Sequence, residues 1–459
     1  MNKNKLLLCF IICFSLLLDV KADNAKLPSN FFSKKLANGL EVLVIEDNTV
    51  PLATVEICVR NGSYTESPEY NGLSHLYEHM FFKANKDYPS QEKFLDRIHE
   101  LGIQFNGTTS NERVNYFVTL GTYNLKHGME FINSAIRYPL FDQEEMKKEN
   151  VVVDGEFQRN ESNPGFFLFD ELNYKMWGDH YCRKNVIGDH AIIRSATTEK
   201  MKAIQHKFYY PNNSLLCIAG NVNHDEVFTL ADQIFGSWEP TTVDPFKRWP
   251  VPEFNAMVGQ NNFFVINENA KSPLVGAGMF GPDTRNDLKS TYAADVFSFI
   301  VNQKTASLQK KLVDSGLAFN VGVNYQTCKY TGPITIFMVP NPAKIKEAVK
   351  VLQDEMKRWD DDDYFTDEQL QTAKNQLEIS DAYGKEKTSN YIHTITFWWA
   401  SASVDYYVNY TDNVKKITRQ DIKDYVRKYI KNQPSAWGLL ADPGTRDKFK
   451  LDETIFNQN

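Results

Sequence analysis

The segment Gly72–Phe82, GLSHLYEHMFF, places two histidines four residues apart and a glutamate against the second of them, within an otherwise apolar run. On a helix, positions i and i+4 share one face with Cβ atoms about 5–6 Å apart, so His75 and His79 can aim imidazole nitrogens at one ion. Glu78, three residues after His75, falls beside them. Imidazole suits Zn2+, and a catalytic zinc site takes three protein ligands and leaves one position for water. A carboxylate beside that water can accept its proton. HLYEH therefore offers two ligands and a general base in a turn and a half, in the reverse order of the commoner HExxH pattern. A pair of surface histidines with a helix-stabilising glutamate is the alternative. It needs a solvated face, and this segment has too few polar residues to make one. Buried His and Glu need strong partners to offset desolvation, and a metal supplies them.

Two histidines leave one ligand to find. KKENVVVDGEFQRNE (Lys147–Glu161) carries Glu149, Glu156 and Glu161. Seven residues make two helical turns, so Glu149 and Glu156 share a face. The remaining histidines carry weaker signals. His99, His127 and His224 lie in charged stretches that read as exposed, and His180 and His190 read as structural.

These side chains need elements to hold them. ANGLEVLVIED (Ala37–Asp47) and ATVEICVRNGS (Ala53–Ser63) read as strands broken by turn-forming Asn and Gly. Gly72–Phe82, Gln91–Leu101 and Asp142–Glu161 read as helices, Val114–Tyr123 as an alternating strand and Asn213–Val222 as a buried strand. Pro240–Phe254 is proline-rich and aperiodic, a linker between two halves. The acidic run Trp359–Phe365 reads as the solvated cap of a following helix rather than a Ca2+ site.

The second half echoes the first in order. GIQFN (Gly102–Asn106) returns as GLAFN (Gly316–Asn320), each followed by a strand, Val114–Leu120 and Gly332–Met338. FDQEEMKKENVVVDGE from Phe141 returns as FTDEQLQTAKNQLEIS from Phe365, and Lys207–Gly220 as Arg427–Ala441. The expected architecture is α+β: two homologous α/β-sandwich domains related by duplication, one over 23–239 and one over 257–459, joined by a linker at 240–256. In that alignment Ala373 and Ser380 stand where Glu149 and Glu156 do, and Lys289–Val301 has no histidine or glutamate. The second half therefore lacks every proposed ligand.

Bulk properties fit an ordinary globular chain. The 459 residues are 42% hydrophobic and 24% charged, with net charge -7 and no long basic run, so there is no electrostatic footprint for nucleic acid. Lys3 and Lys5 precede the apolar Leu6–Leu18. This reads as a signal peptide, Met1–Ala22, whose apolar run falls short of the ~20 residues that span a bilayer. A periplasmic or secreted location is expected, without a membrane span after cleavage. Cys58, Cys182, Cys217 and Cys328 remain, too scattered for a disulfide framework.

From Leu36 to about Gly444 the chain resembles the pitrilysin/insulinase family of zinc metallopeptidases, the group that includes the mitochondrial processing peptidase. GLSHLYEHMFFKAN (Gly72–Asn85), FNGTTSNERVNYF (Phe105–Phe117) and YYPNNSLLCIAGNV (Tyr209–Val222) carry the resemblance. Glu156 lies 77 residues after His79, close to the family's spacing for its third ligand, with a further glutamate seven residues earlier at Glu149. The resemblance implies Zn2+ on His75, His79 and Glu156, with Glu78 as general base and Glu149 as a supporting carboxylate. Glu78 would take the proton of a zinc-activated water and pass it to the leaving amine. The implied activity is hydrolysis of peptides or unfolded protein segments. A substrate would add as a strand along an edge near Gly107–Asn111.

The chain departs from the family in its second half. Active members carry an Arg and a Tyr, seven residues apart, that hold the substrate backbone. KLVDSGLAF (Lys311–Phe319) has Leu312 and Phe319 at those places. A lost oxyanion donor can cost ~2.7–4 kcal/mol. The resemblance thus implies either a homodimer, or a heterodimer with a related subunit supplying the Arg and Tyr. A catalytically weak member acting in binding or assembly is the alternative.

Overall fold

The computed structural model describes residues 27–457, so the signal-peptide reading at Met1–Ala22 lies outside the described residues. The first sheet contains β1 (Phe31–Lys35), β2 (Glu41–Glu46), β3 (Leu52–Val59), β4 (Gln104–Thr109), β5 (Val114–Gly121) and β6 (Ser214–Gly220), in the order β1-β2-β6-β3-β5-β4. The second contains β7 (Gln260–Ile266), β8 (Leu274–Phe280), β9 (Ala318–Tyr325), β10 (Pro333–Pro340) and β11 (Ser435–Ala441), in the order β7-β11-β8-β10-β9. Leaving out β1, the two orders are identical. Each has one parallel pair, β2 with β6 (Glu41 opposite Leu215) and β7 with β11 (Gln260 opposite Ser435). The other neighbours run antiparallel.

Five helices of the first half matter for the site: α1 (Leu73–Phe81), α2 (Gln91–Leu101), α3 (Leu125–Arg137), α4 (Gln143–Glu161) and α5 (Gly165–Trp177). One face of the first sheet packs with α1, α2 and α3 in a core that includes Val55, Ile57, Leu76, Met80, Phe94 and Phe131. Its other face is covered from the second half. Ile392, Ile395 and Trp399 of the helix Thr388–Ser401 pack on Leu43, Cys58, Leu215 and Cys217. The exchange is reciprocal, because Leu168, Leu172 and Met176 of α5 pack with Phe263, Ala436 and Leu440 of the second sheet. This explains why β6 and β11, central in their sheets, are buried at every position. Strands covered on both faces carry continuous apolar runs instead of alternation.

Two details differ from the sequence reading. The acidic run is largely solvated, as at Asp362 and Asp363, but does not cap the helix that follows: Thr366 caps Asp367–Gly384, while the buried Asp360 pairs with Arg427 (2.8 Å) and Lys431, and Asp362 pairs with Lys423. The proline-rich stretch contains a short helix, Pro245–Arg248, whose Phe246 ring lies 5.7 Å from that of Tyr64.

Candidate active site

Helix α1 starts where an ordinary N-cap is missing. Gly72 sits at the N-cap with φ 89° and has no side chain to accept the first N–H groups. A Cβ there would meet Gly188 Cα and Ile187 O at 2.6 Å, so the left-handed turn and the close approach both demand glycine. Glu66 supplies the cap from six residues upstream. Its Oε2 accepts from Gly72 N–H (2.9 Å) and its Oε1 from Ser74 N–H (2.7 Å). Burial raises the Glu66 carboxyl to about 7, against the pull of these two donors.

From that fixed start, α1 turns Leu73, Leu76, Tyr77, Met80 and Phe81 into the core. His75, Glu78 and His79 fall on the remaining face, half-buried under α4. This is how three polar side chains sit in an oily segment: the helix buries its apolar stripe and presents a narrow polar one.

The ligand atoms converge. His75 Nε2 and His79 Nε2 are 3.2 Å apart, and Glu156 Oε2 lies 3.6 Å from the first and 3.8 Å from the second. These three residues form a group able to hold a metal ion. Tetrahedral zinc, with bonds of about 2.0–2.1 Å, sets its ligand atoms about 3.3 Å apart, so the donor set fits that ion in type and spacing. Burial, with the neighbouring His79 charge added, pushes His75 down to about 4, leaving a neutral imidazole with a lone pair to give.

Glu149 does not join this group. Its Oε1 accepts from His79 Nδ1–H at 2.8 Å, on the far side of the ring from Nε2, and its Oε2 accepts from Lys83 Nζ at 2.6 Å. The carboxylate thereby sets the tautomer of His79 and turns Nε2 towards His75 and Glu156. Burial alone would lower His79, but the Glu149 hydrogen bond and charge outweigh it and hold the ring above its ordinary value. Burial likewise works against the Glu149 charge, and His79 and Lys83 overcome it, so Glu149 titrates below the usual carboxylate range.

Glu78 faces β4. Thr109 Oγ1 donates to its Oε2 at 2.7 Å, and Gly107 on the same strand leaves room for its stem. Burial raises the Glu78 carboxyl above its ordinary value despite the Thr109 hydrogen bond. An elevated carboxylate beside a metal-ligand group is the arrangement that general-base chemistry asks for. The strand β4 is terminal in its sheet, and it spans Gln104–Thr109, so Ser110 and Asn111 lie in the turn beyond it.

Sequence reasoning did not single out Glu66, Lys83 or Thr109. Their partners lie 8, 66 and 31 residues away along the chain, and no local pattern marks such contacts. The other histidines serve elsewhere. His190 bridges Asp154 (3.0 Å) and Glu161 (3.1 Å), which accounts for Glu161 at the end of α4. His224, expected to be exposed, is half-buried, stacked on Phe32 and bonded to Glu46 at 2.7 Å. In the second half, Phe319 is 63% exposed on the terminal strand β9, while Leu312 is fully buried in the second core. The cleft of about 1000 Å3 lined by Asn163, Lys271 and Asp442 contains none of these side chains.

Residues 41–190 match the family model described as Insulinase (Peptidase family M16), and residues 195–377 match the one described as Peptidase M16 inactive domain. The chain is 26% identical over 368 residues to a Rickettsia felis protein named an uncharacterized zinc protease, a match covering 79% of this chain and 86% of that one. Its fold is similar to that of a protease from Helicobacter pylori, with a TM-score of 0.78 at 20% identity over 90% of this chain and 99% of the other. The periplasmic protease PqqL from Escherichia coli is also similar, with a TM-score of 0.75 at 15% identity over 94% of this chain and 50% of that one. On the two family matches and the shared two-sheet architecture, this chain belongs to the insulinase (M16) family of peptidases.

Proposed function

We propose that this chain is a secreted or periplasmic zinc metalloendopeptidase acting on peptides or unfolded protein segments. His75, His79 and Glu156 are its zinc ligands, Glu78 its general base and Glu149 the carboxylate that orients His79. The observation that carries this reading is the convergence of two Nε2 atoms and one carboxylate oxygen within 3.2–3.8 Å, next to a carboxyl whose proton affinity is raised. Zinc in that position supplies Lewis acidity towards a scissile carbonyl and a water. Glu78 receives the proton of the attacking water and delivers it to the leaving amine. The terminal strand β4 accepts the peptide backbone by strand addition, and Gly107 keeps the approach clear. The location rests on the apolar Leu6–Leu18 after two lysines and on the likeness to a periplasmic protease. Among the described residues no helix is long and apolar enough to cross a membrane. Metal content of the purified mature protein, measured beside hydrolysis of a mixed peptide library, tests this reading. One zinc per chain with cleavage supports it; a metal-free chain that cleaves nothing, even after zinc is supplied, overturns it.

A second reading, a catalytically weak subunit used in binding or assembly, draws on Phe319 and Leu312. Neither can give the hydrogen bonds of the family's Tyr and Arg, and Leu312 is buried besides. We propose that the chain works as a dimer, either with a second copy or with a related subunit that bears the Arg and Tyr. Assay of the isolated, zinc-loaded chain decides between the arrangements. Full turnover by a monomer overturns the partner. Weak turnover that a co-purifying homologue restores, and its Arg→Ala variant does not, supports it.

A further inference from the structure

The turn between β4 and β5 is built unlike a surface hairpin. Its residues Asn111, Glu112 and Arg113 carry an amide, a carboxylate and a guanidinium in succession, yet they are only 8%, 3% and 9% exposed. Hairpin tips are ordinarily solvated, because burying a charge is costly unless it is paired. For the side chains of Glu112 and Arg113 the partners come from the other half of the chain; Asn111 is held from both halves, its Nδ2 donating to Ser63 Oγ (3.1 Å) and Arg183 O (3.1 Å) in the first. Glu112 accepts from the backbone N–H of Lys329 (2.6 Å) and of Tyr330 (2.8 Å), in the loop between β9 and β10. Arg113 Nη1 donates to His393 O (2.6 Å) and Thr396 Oγ1 (2.6 Å), on the helix Thr388–Ser401. Asn111 Oδ1 accepts from Gln326 Nε2 at 3.0 Å. Thr396 in turn donates to Glu56 on β3 (2.6 Å), which ties the grip to the middle of the first sheet.

The strand that leads into this turn packs one face on α1, where the Phe105 and Phe82 rings are 4.9 Å apart, and its backbone is paired on one side only. As the terminal strand, β4 has one neighbour, β5, and its side chains are alternately exposed and half-buried. Thr109, its last residue, holds Glu78, and only Ser110 separates Thr109 from Asn111. A shift of the turn therefore moves both the hydroxyl that orients Glu78 and the edge offered to a peptide.

We infer that the second half of the chain sets the position of the peptide-binding edge strand through Glu112 and Arg113, which act as positioning residues for Glu78; this rests on the peptidase reading above. The second half thereby contributes to catalysis without touching the reacting atoms. Displacement of a catalytic group by about 1 Å can cost on the order of 100-fold in rate.

Three variants of the full mature chain test the inference: Glu112→Gln, Gln326→Ala and Thr396→Val. For each, peptide kinetics, zinc content and amide hydrogen exchange are compared with wild type. For Glu112→Gln, kcat/KM is expected to fall on the order of 100-fold, with KM raised as well as kcat lowered, because the edge strand is displaced. Gln326→Ala, which loses the bond to Asn111, and Thr396→Val, which loses those to Arg113 and Glu56, leave the Glu112 grip in place and should show smaller changes of the same kind. Zinc stoichiometry should hold, and, apart from the amides beside each substitution and those of Lys329 and Tyr330 that Glu112 itself holds, faster exchange should be confined to residues 104–109. A mere loss of folded fraction would lower kcat, leave KM unchanged and raise exchange throughout, and would overturn the inference. So would wild-type kinetics with wild-type exchange in 104–109. If Glu112→Gln does not fold, the two second-half variants carry the same test. If the wild-type chain cleaves no peptide, the peptidase reading fails by itself. Exchange then decides alone, with faster exchange confined in that way supporting the coupling and unchanged exchange in 104–109 overturning it.

Discussion

Gly107 and Glu78 compete for one space. A Cβ on Gly107 would lie 2.8 Å from Glu78 Cγ and 2.8 Å from its Oε1. The glycine on the edge strand is therefore matched to the proposed base on the helix. Gly107→Ala should leave fold and zinc content intact, since the Glu78 side chain can swing aside. It should lower kcat by on the order of 100-fold, because the base is no longer held by Thr109. Steady-state kinetics with the melting temperature measured in parallel check this; unchanged kcat would contradict it.

Glu149 and Glu156 lie on one face of α4 but do different work. Glu156→Gln should strip the protein of stoichiometric zinc, since its oxygen lies 3.6 and 3.8 Å from the two Nε2 atoms. Glu149→Gln touches only the far nitrogen of His79 and Lys83, and should weaken zinc affinity or activity about 10–100-fold. Zinc titration of both variants separates the roles. An equal loss in the two would put Glu149 among the direct ligands.

Much of this site was legible in the sequence, and the illegible parts share a cause. His75, Glu78 and His79 stand out because a four-residue spacing needs only one helix to become geometry, and Glu149 and Glu156 repeat that case over two turns. Edge strand β4 was harder. QFNGTT shows little apolar alternation, since its half-buried face carries Phe105, Gly107 and Thr109, of which the last two meet the polar Glu78 instead of the core. Thr109, Lys83 and Glu66 act through contacts that only the tertiary fold creates. The exchange of α5 and the helix Thr388–Ser401 between halves was hidden for the same reason: each carries large apolar side chains, which shows that a face is buried and not where. The resemblance puts Leu312 where the family has Arg, but a residue buried in the second core cannot present a charge to a substrate.

That burial yields a contrast. Leu312→Arg should destabilise the second half by roughly 3 kcal/mol or more, because an unpaired charge would enter an apolar core. Phe319→Tyr, at a position 63% exposed, should change stability by less than about 0.5 kcal/mol. Denaturant unfolding of the two variants checks both. A stable Leu312→Arg protein would show that this segment can turn its charge outwards.

Glu66 makes stability depend on pH. Its folded-state value is about 7 against 4.5 for an ordinary glutamate. Below pH 4.5 both states hold the proton and nothing is lost. Between pH 4.5 and about 7 the unfolded chain releases the proton while the folded chain keeps it, so rising pH lowers stability. The slope is at most about 1.4 kcal/mol per pH unit. Above about 7 the loss is constant. Glu66→Gln removes this slope and keeps one oxygen for the α1 N-terminus. The melting temperature of wild type minus variant should fall across that window; a flat difference would contradict the assignment.

The central claim is that Glu78 is the base beside a zinc held by His75, His79 and Glu156. The most direct measurement is the peptide-hydrolysis rate of zinc-loaded Glu78→Gln relative to zinc-loaded wild type. Glutamine keeps the shape and loses the proton acceptor, so the variant should retain one zinc per chain while turnover falls by about 100–10,000-fold. Turnover equal to wild type, with zinc bound, would contradict the account.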